Sequence, residues 1–244
     1  MRLHITGANG YLGSELVRLR PDASTERVEI RDADAVDEFL RRVRPEAVIH
    51  TAYRQDGPEA RAINVEGAEN VARAAARSGA RLVHVSSDVV FDGRKGTPYV
   101  EEDELSPVSD YGGTKAEGER RVAAAHPGAL IVRTSLIVAG AKPSKHELAA
   151  RRPGTWFTNE LRSPVQVTDL ANALLELAEL DLAGPLHVAG AHGLSRAELA
   201  SLVARRPVET AEAPPTRPLD CRLDSSRAQS LLRTRLRGAR EVLA

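Results

Sequence analysis

The sequence predicts an α/β protein built on a doubly wound parallel sheet of the Rossmann type, with a small C-terminal substrate lobe. Three observations carry this expectation. Short apolar runs alternate with amphipathic helical patterns through the first half of the chain. The runs are continuously apolar, as strands covered on both faces require. A glycine-rich turn joins the first run to the first helical stretch, where such folds bring backbone N–H groups to a phosphate.

Taken in order, Leu3–Thr6 reads as a strand and Tyr11–Leu19 as a helix. Residues 27–31 read as a strand and residues 34–43 as an amphipathic helix. Residues 47–51 form another buried strand, and Pro58 opens a long helix that Gly79 ends, with proline early and glycine just past the terminus. A strand over residues 81–86, a helix over Asp110–Ala125 and a strand over residues 129–134 follow. Helices between strands imply right-handed crossovers and parallel pairing. Beyond about residue 138 the pattern changes: residues 141–158 are polar and irregular. Thr168 and Asp169 cap a helix to about Leu180, and residues 186–189 resemble a short strand. Ser195 and Glu198 form a capping box for a helix to Ala204, residues 207–218 are a proline-rich connector, and Ser225 starts a last helix. The expected division is a Rossmann domain over residues 1–138 and a small substrate lobe over residues 139–244, with segments returning to the Rossmann core.

Composition narrows the classes. The 244 residues carry 34 basic and 34 acidic side chains, so no global field points to nucleic acid or an anionic membrane. No apolar stretch approaches the roughly 18–20 residues that span a bilayer. The one cysteine, Cys221, offers no intramolecular disulfide and no metal-site spacing; a packing role and a cytoplasmic setting are expected. The N-terminus opens directly on strand-like sequence, with no signal peptide read there. His4, His50 and His84 fall within strands and are expected to pack there, with no metal site.

Two motifs carry chemistry. Gly7-Ala8-Asn9-Gly10-Tyr11-Leu12-Gly13 follows the first strand and opens a helix, the context in which glycines let a pyrophosphate approach a helix N-terminus. Tyr111 and Lys115 stand four apart at the start of a helix, on one face, where an ammonium lowers a phenol's pKa and suits it to protonate a carbonyl oxygen. Ser86 and Ser87 end the preceding strand, at the carboxyl edge where such sheets bind ligands. A hydroxyl there can stabilise a developing alkoxide.

In this order the motifs resemble the extended short-chain dehydrogenase/reductase family. The run Ser86-Ser87-Asp88-Val89-Val90-Phe91-Asp92-Gly93 is similar to the S-T-D-Y-V-F-D-G segment of the dTDP-4-dehydrorhamnose reductase group. Matches at Asn64-Val65-Glu66-Gly67, at Arg133-Thr134-Ser135 and over residues 44–53 and 217–224 support it. The resemblance implies Ser87, Tyr111 and Lys115 as catalytic residues, with Lys115 also holding the nicotinamide ribose. It implies Gly7, Asn9, Gly10, Tyr11, Leu12 and Gly13 around the pyrophosphate. Glu29 and Ile30 would stand at the adenine, with Thr51, Ala52, Tyr53 and Val85 on the nicotinamide side. Asp88 is read either as a substrate contact or as a turn carboxylate. Arg162 is read either as a diphosphate partner or as a solvated arginine. Trp156 and Phe157 could stack on a base or sugar, or pack the lobe. The arginines over residues 233–240 read as an exposed helix face.

The implied activity is reduction of a nucleotide-linked 4-keto-6-deoxysugar with NADP(H) or NAD(H), the preference open. A sugar-nucleotide epimerase or dehydratase and a non-catalytic regulatory subunit are the alternatives, and a homodimer is considered. The chain departs from the family pattern at three places. Ser87 stands for the usual threonine. Leu136 stands where some relatives carry a tryptophan near the sugar. Only residues 21–26 separate the first helix from residues 27–31, which leaves hardly any room for the second strand and its ribose-reading side chain.

Overall fold

The computed structural model describes residues 1–243. In chain order the first half runs β1 (Leu3–Thr6), α1 (Tyr11–Leu19), α2 (Ala33–Val43), β2 (Ala47–His50), α3 (Ala68–Ser78), β3 (Arg81–Ser87), α4 (Asp110–Ala125) and β4 (Leu130–Thr134). Then come β5 (Ile137–Val138), α5 (Lys145–Ala150), β6 (Thr155–Phe157), β7 (Leu161–Arg162), β8 (Val165–Gln166), α6 (Val167–Leu177), β9 (Gly184–His187), β10 (Leu194–Ser195), α7 (Arg196–Ala204), β11 (Glu209–Ala211), α8 (Ser226–Leu231) and α9 (Ala239–Leu243). Five strands form the main sheet in the order β1-β2-β3-β4-β9. β1 pairs parallel with β2, and β2 with β3. The doubly wound α/β expectation is met.

The chain divides into two compact units, each half its length: Met1–Ser86 with Asp110–Val132 and Leu174–Leu186, and Ser87–Ser109 with Arg133–Ala173 and His187–Ala244. The β3–α4 connection, which the sequence reading counted with residues 1–138, groups with the second unit. The reason lies in its Gly93 (φ 76°), which sits so close to the Leu219–Asp220 backbone that any Cβ would collide with it. That connection is therefore built into the second unit.

In the first unit β2 is buried along its whole length. The apolar face of α2 (Val36, Phe39, Leu40) and the small face of α3 (Ala68, Val71, Ala72, Ala75) join Val48, Leu82 and Ile131 in one core cluster. Each fully buried aliphatic side chain there is worth about 1.5–3 kcal/mol. Asp32 caps α2 by accepting from the N–H groups of Asp34 and Ala35, and Arg44 ends it in a left-handed conformation at φ 49°. The second unit has its own cluster of Val138, Leu194, Leu199 and Ala239. Ser195 and Glu198 close the expected capping box on α7. Cys221 is buried, donates to the Phe91 carbonyl, and burial pushes its thiol up to about 12, so it packs as expected.

Three elements differ from the sequence reading. Residues 27–31 form no strand. The free edge of β1 is already taken by Ser24, which bridges His4 in parallel, accepts from the Ile5 N–H and donates to the Leu3 carbonyl. Past Ser24 the chain leaves the sheet: Asp32 N–H donates to the Glu29 carbonyl in a turn, and Asn70 holds the Ile30 carbonyl. The second strand is thus reduced to one bridging residue. The long helix from Pro58 is interrupted by a wider π turn over Ala62–Gly67. The stretch read as irregular contains α5, with a Ser144–Glu147 capping box.

Candidate active site

The glycine turn is shaped by close approach. Gly7 has φ 69°, and a Cβ there would lie 2.7 Å from both the Ala52 nitrogen and Thr51 Oγ1. A Cβ on Gly13 would overlap the Gly7 carbonyl oxygen, so α1 starts pressed against the turn. Gly10 is the N-cap, supplies no capping side chain, and no acidic residue stands in the first turn. Such a terminus suits an anion bound through backbone N–H groups. Asn9 and Gly10 are exposed on the turn, whereas Leu12 is buried and can offer only its backbone. Thr51 Oγ1 donates to the Thr6 carbonyl, fixing the end of β1 against the residues after β2.

Lys115 is buried, and its Nζ donates 2.8 Å to the carbonyl of Val85 in β3. Burial pushes its pKa down to about 8, while the Glu119 carboxylate opposes the shift. Glu119, one turn further along α4, accepts from Ser86 Oγ at 2.5 Å. Consecutive residues of β3 are therefore clamped by consecutive turns of α4. Tyr111 stands one turn before Lys115 on the same helix; its ring centroid lies 6.0 Å from that of Tyr53.

Between Tyr111 and Lys115, Thr114 Oγ1 donates to the Tyr111 carbonyl and accepts from Asn64 Nδ2. Asn64 is buried in the π turn, and its side chain also donates to the Arg54 carbonyl and accepts from the Arg54 N–H. The approach is tight: a Cβ on Gly118 would strike the Asn64 carbonyl oxygen. Asn64 is a positioning residue to which the sequence reading gave no role. Its signal was the Asn-Val-Glu-Gly match, but only the widened turn aims its amide at α4.

Not every expected residue is disposed as a ligand contact. Ile30 is buried in the core cluster and would meet a Cβ on Gly67. Its side chain therefore packs rather than reaching adenine. Glu29 is exposed, and hydrogen bonding from Arg31 holds its carboxyl down to about 2; Arg31 in turn reaches Glu59 at 2.6 Å. His4, His50 and His84 are buried, as expected of packing residues. The His50 and His84 rings stack at 5.2 Å, and His50 Nδ1 meets Thr6 Oγ1 at 2.6 Å.

In the second unit, Ser87 ends β3 and donates 3.2 Å to Asp88 Oδ1. Asp88 is buried, accepts from Ser135 Oγ at 2.6 Å, and lies 3.7 Å from Arg162 Nε. Burial pushes its carboxyl pKa up, against Arg162 and the two hydroxyls. Arg162 is buried too, with its remaining N–H groups on the carbonyls of Leu161, Pro218 and Leu219. The reading of Arg162 as a solvated arginine is corrected: the guanidinium is buried and held by three carbonyls and Asp88. Leu136 packs against the Val138–Leu194–Leu199 cluster. Arginines of the 233–240 stretch pair with Asp169, Glu198 and Glu241.

The residues at the glycine turn and around Lys115 fit a dinucleotide: a side-chain-free helix N-terminus for phosphate, and a buried ammonium at the carboxyl edge of β3. Comparison with known proteins agrees. The dTDP-4-dehydrorhamnose reductase of Mycobacterium tuberculosis is 36% identical over 87% of this chain and 81% of its own length. The beta subunit of methionine adenosyltransferase 2 from Rattus norvegicus is 29% identical over 94% of this chain and 82% of its own. Among solved structures, a hypothetical dTDP-4-dehydrorhamnose reductase from Sulfolobus tokodaii superposes with a TM-score of 0.82 at 32% identity, covering 96% of each chain. The Bacillus anthracis dTDP-4-dehydrorhamnose reductase in complex with NADP gives 0.85 at 27% identity, over 99% of this chain and 95% of its own. The model of the RmlD substrate binding domain matches residues 1–244, and the chain belongs to that family.

Proposed function

We propose that this chain is an NAD(P)H-dependent oxidoreductase that reduces the keto group of a nucleotide-linked 4-keto-6-deoxysugar. The observation that carries the reading is Lys115: a buried ammonium fixed on the Val85 carbonyl, one helical turn from the Tyr111 phenol. The reductases named above supply the substrate class. The nicotinamide, when bound, supplies the hydride.

The side chains then divide the work. The Lys115 charge lowers the cost of a tyrosinate, so Tyr111 gives its proton to the keto oxygen as negative charge develops there. Ser87, last residue of the strand that holds the lysine, donates a hydrogen bond to the same oxygen. Without substrate that single hydroxyl hydrogen is held by Asp88 and turns from the carboxylate to the keto oxygen on binding; Arg162, beside Asp88, is a positioning residue in this reading. The glycine turn and the N-terminus of α1 hold the cofactor pyrophosphate.

Tyr111→Phe is expected to lower kcat by about 10²–10⁴-fold while leaving the dissociation constant for NADPH, read by nicotinamide fluorescence, nearly unchanged. Turnover of nucleotide-linked ketosugars at the wild-type rate in that variant sinks the assignment. The likeness to the methionine adenosyltransferase subunit favours, as a second reading, a partner-binding role without turnover. NAD(P)H oxidation with a panel of nucleotide-linked ketosugars separates the two.

A further inference from the structure

The second unit holds three guanidinium groups whose charges are felt together with those of Asp88 and Glu160: Arg162, Arg196 and Arg217. Two are matched. Arg162 has Asp88 at 3.7 Å, and Arg217 Nε lies 2.5 Å from Glu160 Oε1. Arg196 is left over. Among the described residues its side chain meets no carboxylate within ion-pair distance: its NH1 is 3.5 Å from His146 Nδ1 and its guanidinium lies 5.6 Å over the Trp156 ring. His146 adds no negative charge; burial holds its pKa down to about 3, so the ring is neutral. A partly buried cation stacked on an aromatic face and lacking a counter-ion is an anion receptor.

A second observation points the same way. Trp156 Nε1 is buried with no hydrogen-bond partner, and such a donor stays unsatisfied until an acceptor reaches it. The helix terminus beside it is not the receptor. The Glu198 N–H is already taken by Ser195 Oγ and the Ser195 N–H by the Glu198 carboxylate. What remains is donors alone, a planar fork and an indole N–H, which suits a group that only accepts.

We infer that Arg196 and Trp156 seat the phosphate oxygens of a nucleoside diphosphate. Its source, the nucleotide half of a sugar nucleotide, rests on the function proposed above; the receptor chemistry does not. Arg162, the residue the sequence offered for this task, is filled by carbonyls and Asp88, and Arg196 takes it over.

Trp156 is the only tryptophan of the chain, so its emission reports the site directly. The test titrates dTDP, inorganic pyrophosphate and thymidine into the wild-type protein and into Arg196→Ala and Arg196→Lys, with calorimetry in parallel because the substitutions alter the indole's surroundings. Wild type is expected to bind dTDP saturably, pyrophosphate more weakly and thymidine hardly at all. Arg196→Ala is expected to weaken dTDP by about tenfold or more, and Arg196→Lys to lie between, since it keeps the charge but loses the fork. NADPH affinity unchanged in both variants shows that the fold is intact. Equal dTDP affinity in wild type and Arg196→Ala, thymidine binding as well as dTDP, or no dTDP binding to wild type overturns the inference. If dTDP binds through Arg196 but no ketosugar is reduced, the function fails and this site stands. If sugars are reduced with an unaltered KM in Arg196→Ala, the reverse holds.

Discussion

Lys115 sets the pH dependence of the proposed reaction. Its pKa, pushed down to about 8 by burial, lies below the ordinary lysine value near 10.4. Below pH 8 the group is an ammonium and supports proton transfer from Tyr111; above it the charge is lost. Turnover in the reducing direction is therefore expected to hold steady toward acid and to fall as pH rises through about 8. A kcat profile flat to pH 10 would refute this. The groups facing Lys115 matter for the sign. His50 has a pKa held down to about 3 by burial, and that of His84 lies well below its ordinary value. Both are neutral there, so Glu119 is the charge that opposes the desolvation. Glu119→Gln is expected to move the Lys115 titration further down, by about one pH unit. With only four lysines in the chain (Lys95, Lys115, Lys142 and Lys145), NMR of isotope-labelled lysine resolves that shift without any substrate; an unmoved midpoint removes Glu119 from the mechanism. The tyrosine–lysine pair was legible in the sequence because its spacing is local. Arg196 was not, because beside a capping box it reads as an ordinary solvated helix arginine.

Single elements show where pattern reading holds and where it fails. The span of α4 and the capping box of α7 were legible because both follow from contiguous residues. Residues 27–31 carry a strand-like pattern, yet a strand also needs a free edge, and Ser24 occupies the edge of β1. The π turn was hidden for a similar reason: what widens it, the contact of Asn64 with α4, comes from residues fifty positions away. α5 carries a readable Ser144–Glu147 capping signal, but its six residues are too few for a period to emerge beside Pro143. The glycines of the two helices separate tight packing from mere composition. Gly13→Ala drives a methyl group into the Gly7 carbonyl and is expected to cost about 1–3 kcal/mol and to abolish NADPH binding, since the turn itself must shift. Gly113, in α4, has nothing within 4 Å of the place a methyl group would take; Gly113→Ala is expected to stabilise by about 0.5–1 kcal/mol. Thermal melting of both variants checks the contrast, and equal shifts would mean that the close approach at Gly13 does not constrain α1.

Across the whole chain, the consequence of the short segment after α1 is a sheet that ends at β1. In dinucleotide-binding sheets the residue that reads the adenosine ribose, an acid for a 2′-hydroxyl or an arginine for a 2′-phosphate, stands at the end of the strand next to β1. Here that strand is Ser24 alone. Just beyond it Glu26 pairs with Arg42 at 2.5 Å and Glu29 with Arg31 at 2.8 Å, while Arg27, exposed between them, makes no ion pair among the described residues. At either pair a cofactor phosphate would have to displace a carboxylate from an arginine, and a ribose hydroxyl would have to compete with an arginine for a carboxylate. Apart from Arg27 neither form meets a preformed partner, so in Arg27→Ala the dissociation constants of NADH and NADPH are expected to agree within about tenfold, which is a difference of about 1.4 kcal/mol. Nicotinamide fluorescence titrations at fixed ionic strength measure both. A preference of a hundredfold or more for NADPH in that variant would mean that Arg31 or Arg42 leaves its carboxylate on binding, and Arg31→Ala and Arg42→Ala would then identify which; the same preference for NADH would assign the ribose to Glu26 or Glu29.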